Sequence, residues 1–177
     1  VAPSEPAIRH PIEVAAAPAA SASPSASTDP ESVLMELFGR KSALSMFQLD
    51  DFARRVVATV DNLGRSHAPS RLWPMNPTEG RFMTERQGDA DVISADNGLR
   101  YTPYVLLIET VDLRQVVAAY TTLYPLLQRA YEELGFPTRY FNDRVVEVLD
   151  QLVATPEVNG PVKVRLPTIN GPVQPQR

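Results

Sequence analysis

Asp143, Glu147 and Asp150 stand four and three residues apart in YFNDRVVEVLDQLVATPEV, residues 140–158. On a helix, residues at that spacing lie on one side, with Cβ atoms about 5–6 Å apart. Three stacked carboxylates repel one another, so the stack asks for a chemical reason. A retaining glycosidase holds its two carboxyl groups at a similar separation. Those two flank a sugar from opposite walls of a cleft, whereas one rod presents Asp143 and Glu147 side by side. Catalysis by Asp143 and Glu147 therefore needs an acid from another element, such as Asp61 or Glu109. The plainer reading is an ion-pair network drawing on Arg54, Arg55, Arg139 and Arg144. Like-charge stacking costs only about 0.2–0.5 kcal/mol per pair. One arginine with a bidentate grip reverses that. We therefore expect the stack of Asp143, Glu147 and Asp150 to tie the last helix to Arg54 or Arg55 of an earlier one, with Asp143 and Glu147 bordering the seam. Asp61 and Asn62 sit at a helix C-terminus, where an acid opposes the macrodipole, so a specific partner is expected there, an arginine or the start of another helix.

Other chemistries find less support. There is no cysteine, which excludes disulfides, thiolate metal sites and Cys nucleophiles. His10 and His67 lack ligand spacing, and Asp89, Asp91, Asp96 and Gly98 fit a turn better than a calcium loop. No Gly-x-Ser-x-Gly elbow or Gly-rich phosphate loop is present. We expect no metal and no cofactor. The net charge of -4 and the lack of a basic run argue against a nucleic-acid partner.

Most aromatic residues fall on inward stripes and read as core. Two clusters open helices, RYTPY and TRYF, where a tyrosine can be half buried. Tyr101, Tyr104 and Tyr140, with Asn142, Asp143 and Arg144, are the candidate binding residues for a groove that takes a peptide or glycan.

These side chains must be held by a scaffold, and 177 residues suffice for one domain with a core and an unstructured end. Residues 1–29 are mostly Ala, Pro and Ser, with five prolines, and read as a disordered, partly extended linker. Order is expected over 30–166, followed by a tail at 167–177. Thr28 and Glu31 suggest a capping box around Pro30, with Gly39 as the stop. Leu49, Phe52, Val56, Val60 and Leu63 mark a second helix ending at Gly64. RFMTERQGDADVIS reads as a short hairpin, and VKVRLP as a further strand. Thr102-Pro103 opens another helix, and Asp112 opens a longer one through Leu134, with a kink expected near Thr121–Tyr124 because of Pro125. The last helix runs over about 139–153, with Phe141, Val145, Val148, Leu149 and Leu152 facing inward. The fold class is mainly α (α+β minor), a compact helical domain with a short β hairpin.

Four segments, RRVVATVDNL, YTPYVLLIETVD, LYPLLQRAYEELGFP and YFNDRVVEVLDQLVATPEV, resemble the bacterial domain-of-unknown-function (DUF) family 3014. The similarity runs in order over about 30–166. The resemblance implies a domain behind a Pro/Ala-rich linker and one membrane helix, on the periplasmic face of the inner membrane. That helix would lie upstream of Val1, and members continue beyond the position of Arg177. The resemblance implies no activity. The expectation is a non-catalytic, envelope-facing binding or scaffold module, with an envelope protein or polymer as partner. The alternative is a hydrolase acting on an envelope glycan or peptide through Asp143, Glu147 and Asp61.

Overall fold

The computed structural model describes residues 7–12 and 29–165. The expected tail and most of the expected linker lie outside them. The chain divides into two compact units, Val1–Pro77 with Leu106–Thr155, and Thr78–Val105 with Pro156–Arg177.

The first unit is helical, as the periodicity predicts. Helix α1 (Pro30–Phe38) opens on Pro30, and its cap is Asp29, whose carboxylate accepts from the Ser32 N–H and hydroxyl at 2.9 Å. Asp29 thus takes the place foreseen for Thr28, and these bonds hold its carboxyl below the usual range. Gly39 ends α1 at φ 78°, a conformation that suits glycine. A short helix not foreseen, α2 (Arg40–Met46), follows directly and buries Ala43.

Helix α3 (Phe52–Leu63) buries Phe52, Ala53, Val57, Ala58 and Asp61. The bulky stripe expected at 52, 56, 60 and 63 is rotated about its axis. Val56 and Val60 are only partly buried, and Leu63 is exposed. The row Ala53, Val57, Asp61, spaced by four, faces inward instead, and it carries an acid into the interior.

Helix α4 (Thr102–Thr110) has no fully buried residue. Helix α5 (Leu113–Glu133) begins at an Asp112 cap, which accepts the Arg114 N–H at 2.8 Å. It continues past Pro125 to bury Leu123, Tyr124, Leu127, Ala130 and Tyr131. Helix α6 (Phe141–Val153) buries Phe141 and Val148, with Val145 partly buried. Leu149 and Leu152, expected inside, are about half exposed. The apolar face of α6 thus meets the core only over its first two turns. Helix α5 packs on α1, α3 and α6, and α3 packs on α6. Their shared core holds Leu34, Phe52, Val57, Leu127, Tyr131 and Phe141. Among the described residues, no helix is long and apolar enough to cross a membrane.

The second unit holds the expected hairpin. Strands β1 (Thr84–Gln87) and β2 (Ala90–Ile93) pair antiparallel, with Thr84 opposite Ile93 and Gln87 opposite Ala90. Gly88, at φ 58°, starts the two-residue turn. Strand β3 (Lys163–Val164) adds to β2.

Candidate functional site

Helix α6 opens on Tyr140, which offers no side-chain cap. Its first free N–H groups need acceptors, and α5 supplies them. Gln128 Oε1 accepts the Phe141 N–H at 2.8 Å and the Tyr124 hydroxyl at 3.0 Å. The Tyr124 oxygen in turn accepts the Asn142 N–H at 3.3 Å. Gln128 also donates to the Arg139 carbonyl at 2.9 Å, which fixes the approach to the helix. Tyr124 lies between Tyr120 and Tyr140, with ring centroids 5.8 and 5.4 Å away. Burial pushes the phenols of Tyr120 and Tyr124 above their ordinary pKa, so both remain protonated donors at neutral pH.

This assembly grips a stretch of chain. The Asp143 carboxylate, in the first turn of α6, accepts the N–H of His10 at 2.7 Å and that of Arg9 at 3.1 Å. Asn142 donates from Nδ2 to the His10 carbonyl at 2.9 Å. Its Oδ1 accepts from the Tyr120 hydroxyl at 2.9 Å, which sets the orientation of the amide. The Tyr140 hydroxyl accepts the Ile12 N–H at 2.8 Å, and the Ile12 side chain packs on the core. A cleft of about 180 Å³ remains beside the segment, walled by Arg9, Tyr140, Asp143, Arg144 and Glu147. The Asp143 carboxylate stands in the first turn of α6, where the macrodipole favours an anion. Residues 7–12 of the expected linker are therefore held by the domain.

Arg144 lies one residue on and reaches α3. Its Nη2 donates to the Asp61 carbonyl at 2.8 Å, and its Nη1 meets Glu147 Oε2 at 2.9 Å. Its Nε is 3.6 Å from Asp61 Oδ1 and has no hydrogen bond. Asp61 Oδ2 accepts from Arg65 Nη2 at 2.6 Å. The arginine partner expected for Asp61 is thus found twice over. Gly64 makes room for it, because a Cβ there would lie 2.6 Å from Arg144 Nη2.

The expected tie of Asp143, Glu147 and Asp150 to Arg54 or Arg55 is not what forms. Arg54 pairs with Glu133 at 2.9 Å, and with Arg129 it lowers the Glu133 pKa. Arg55 donates to the carbonyls of Asp50 and Arg71. The rotation of α3 explains this, because it turns Asp61 toward α6 in place of the two arginines. Glu147 pairs with Arg144 of its own helix. Asp150 is exposed and has no ion-pair partner among the described residues. Of the three catalytic candidates, Asp143 and Glu147 border one cleft, while Asp61 is buried against arginines.

The structure brings together Tyr140, Asn142, Asp143 and Arg144. Tyr101 and Tyr104 belong to the second unit. Tyr101 is half exposed there, and burial, with Glu79 nearby, raises the Tyr104 pKa. The organiser of that unit is Asn97, overlooked as turn chemistry. Its Oδ1 accepts the Met83 N–H at 2.9 Å, and its Nδ2 donates to the carbonyls of Met83 and Ser94 at 2.6 and 2.9 Å. Among the described residues, no group of three His, Asp or Glu is placed to hold a metal.

Sequence reasoning also missed Arg9, His10 and Ile12. A signal existed in IRHPI, which sets two isoleucines in a stretch of Ala, Pro and Ser. Arg65 was legible as an i,i+4 partner of Asp61. Tyr120 and Gln128 act through a neighbouring helix, and no local pattern reveals that.

The family model described as "Protein of unknown function (DUF3014)" matches residues 52–173, so the chain belongs to this family. No curated protein and no solved structure matches the chain.

Proposed function

We propose that this DUF3014 member is a non-catalytic binding or scaffold module of the bacterial envelope, tethered on the periplasmic face of the inner membrane. The observation that carries the binding part is the Asp143 carboxylate taking two successive main-chain N–H groups. A carboxylate with both oxygens engaged by donors is placed to hold a chain, not to move a proton. Asp61 is likewise engaged by Arg65 and Arg144, which leaves it no approach to a substrate. Support for the location is the Pro/Ala-rich composition of residues 1–29, which suits a spacer between an anchor and a domain.

One observation favours the second reading, a hydrolase of an envelope glycan or peptide. Asp143 and Glu147 border the same cleft. The two readings separate in one assay. The protein, Asp143→Asn and Glu147→Gln are incubated with purified peptidoglycan and with an unfolded protein, and released reducing ends and amines are measured. No release is expected from any of the three, and the binding shown by the parent should weaken in Asp143→Asn. Release by the parent that both variants lose would establish the hydrolase. Protease accessibility of the full-length protein in intact spheroplasts tests the location, and protection there would exclude it.

A further inference from the structure

Three observations meet at the N-terminus of α6. The groove there is filled by the chain's own residues 7–12, and its hydrogen bonds to them reach the main chain: the N–H of Arg9, His10 and Ile12, and the carbonyl of His10. Ile12 is seated against the core, whereas Ile8 is 55% exposed. The gripping side chains are set from behind. Tyr120 orients Asn142, and Tyr140 leans on Tyr124. Preorganised polar groups that read a main chain, with one apolar seat, are how extended peptides are recognised.

We infer that this groove is a binding site for extended peptide segments of other proteins, and that residues 7–12 are its tethered competitor. The inference rests on the binding-module reading and narrows its ligand. The ligand offers two successive N–H groups, with a carbonyl on the second residue, and an apolar residue two positions further on. The position between can be proline, as Pro11 is, since the groove takes no N–H there and proline favours extended chain. The segment in place is weakly committed, because residues 7–11 are exposed and Ile12 is only partly buried. A tethered ligand nonetheless competes at an effective concentration of roughly millimolar. A free peptide therefore sees a site that is mostly taken.

The test uses the full chain and a fluorescein-labelled peptide of sequence AIRHPI with blocked ends, followed by anisotropy. Ile12→Asp and His10→Pro each loosen the resident segment from its own side and leave the groove intact. Both should bind the probe at least tenfold more tightly than the parent. Adding Asp143→Ala or Tyr140→Phe to either should cancel that gain. A probe N-methylated at the Arg and His nitrogens should bind at least tenfold more weakly than the plain probe. Equal binding by the parent and both loosened chains would overturn the inference, as would tight binding that survives Asp143→Ala and Tyr140→Phe. Loss of folding in both loosened chains, read by circular dichroism, would make the segment an integral part of the domain and also overturn it. A parent that is a dimer by light scattering and a monomer after Ile12→Asp would identify a second copy as the occupant in place of another protein. Peptide binding can fail while the absence of hydrolysis stands, so the two readings fall separately.

Discussion

Arg144 of α6 donates from Nη2 to the main-chain carbonyl of Asp61 in the last turn of α3, at 2.8 Å. That carbonyl is one of the four a helix leaves unpaired at its C-terminus, where a cation is also favoured by the macrodipole. The Asp61 carboxylate completes the junction, with Arg65 on its outer oxygen and Arg144 beside its inner one. One guanidinium thereby joins two helices, and the acid at the wrong end of α3 is accounted for.

Removing the carboxylate should be costly. The Asp61 side chain is 8% exposed and that of Arg144 15%, so Asp61→Ala strands a largely buried charge. A loss of about 2–4 kcal/mol is expected in urea unfolding. Asp61→Ala and Arg144→Ala should couple by about 1 kcal/mol or more in a double-mutant cycle. Strict additivity would mean the pair is only adjacent.

Gly64→Ala should have an inverted sign. Gly64 has φ −79°, open to any residue, and such a replacement usually stabilises by about 0.4–1 kcal/mol. Here the new Cβ would stand 2.6 Å from Arg144 Nη2 and push the guanidinium off the Asp61 carbonyl. We expect a loss of about 1–2 kcal/mol, comparable to a broken charge-assisted bond. In an Arg144→Ala background the same substitution should be neutral or stabilising. A stabilising effect in the parent would show that the guanidinium has room to move.

Much of this was legible, and what was not has a common physical cause. The Pro30 and Asp112 helix starts, the stops at glycine and the two-residue hairpin turn are local chemistry, and they stand where expected, with the α1 cap shifted from Thr28 to Asp29. The rotation of α3 was not legible, because periodicity weighs side chains by bulk. The small Ala53 and the charged Asp61 line the buried row because α6 brings an arginine to it. The capping of α6 was likewise invisible, because the acceptors for its first N–H groups come from Tyr124 and Gln128 on another helix. The acid stack was legible as a spacing, but partners at long sequence separation decide what each acid does.

Asn97→Ala should loosen the second unit. Its amide closes three bonds to the main chain of Met83 and Ser94, and it is 7% exposed. Alanine leaves the Met83 N–H and the two carbonyls without that partner, at a cost of about 2–3 kcal/mol. Amide exchange at Met83 and across β1 and β2 should accelerate. Unchanged protection there would show that the hairpin does not depend on this clamp.

Alkali should unfold the first unit through its phenols. Burial raises the pKa of Tyr120, Tyr124 and Tyr131 above the ordinary value of 10.0. A group raised in the folded state stabilises fully below its unfolded pKa, and that contribution is lost as pH rises past it. Stability should therefore be flat up to about pH 10 and fall above it. Tyrosinate absorbance from these three residues should appear together with the loss of helical circular dichroism. Full ionisation of all six tyrosines with helix intact would contradict this.

The three stacked acids should part company under mutation, because each has a different partner. Asp150 is exposed and unpaired with any arginine among the described residues, so Asp150→Asn should change stability by less than about 0.5 kcal/mol. Glu147 closes one side of Arg144 from a half-exposed position, so its loss should register at no more than about 1 kcal/mol. Asp143 works through the main chain of Arg9 and His10, and Asp143→Ala should cost about 1 kcal/mol. His10→Pro deletes one of the two N–H groups that Asp143 accepts, so the two substitutions should be non-additive. Additive losses would place the value of Asp143 elsewhere, in the dipole of α6 alone. Sub-additive losses would mean that the first acid of the stack is there to hold a passing chain, while the second braces an arginine and the third meets only water.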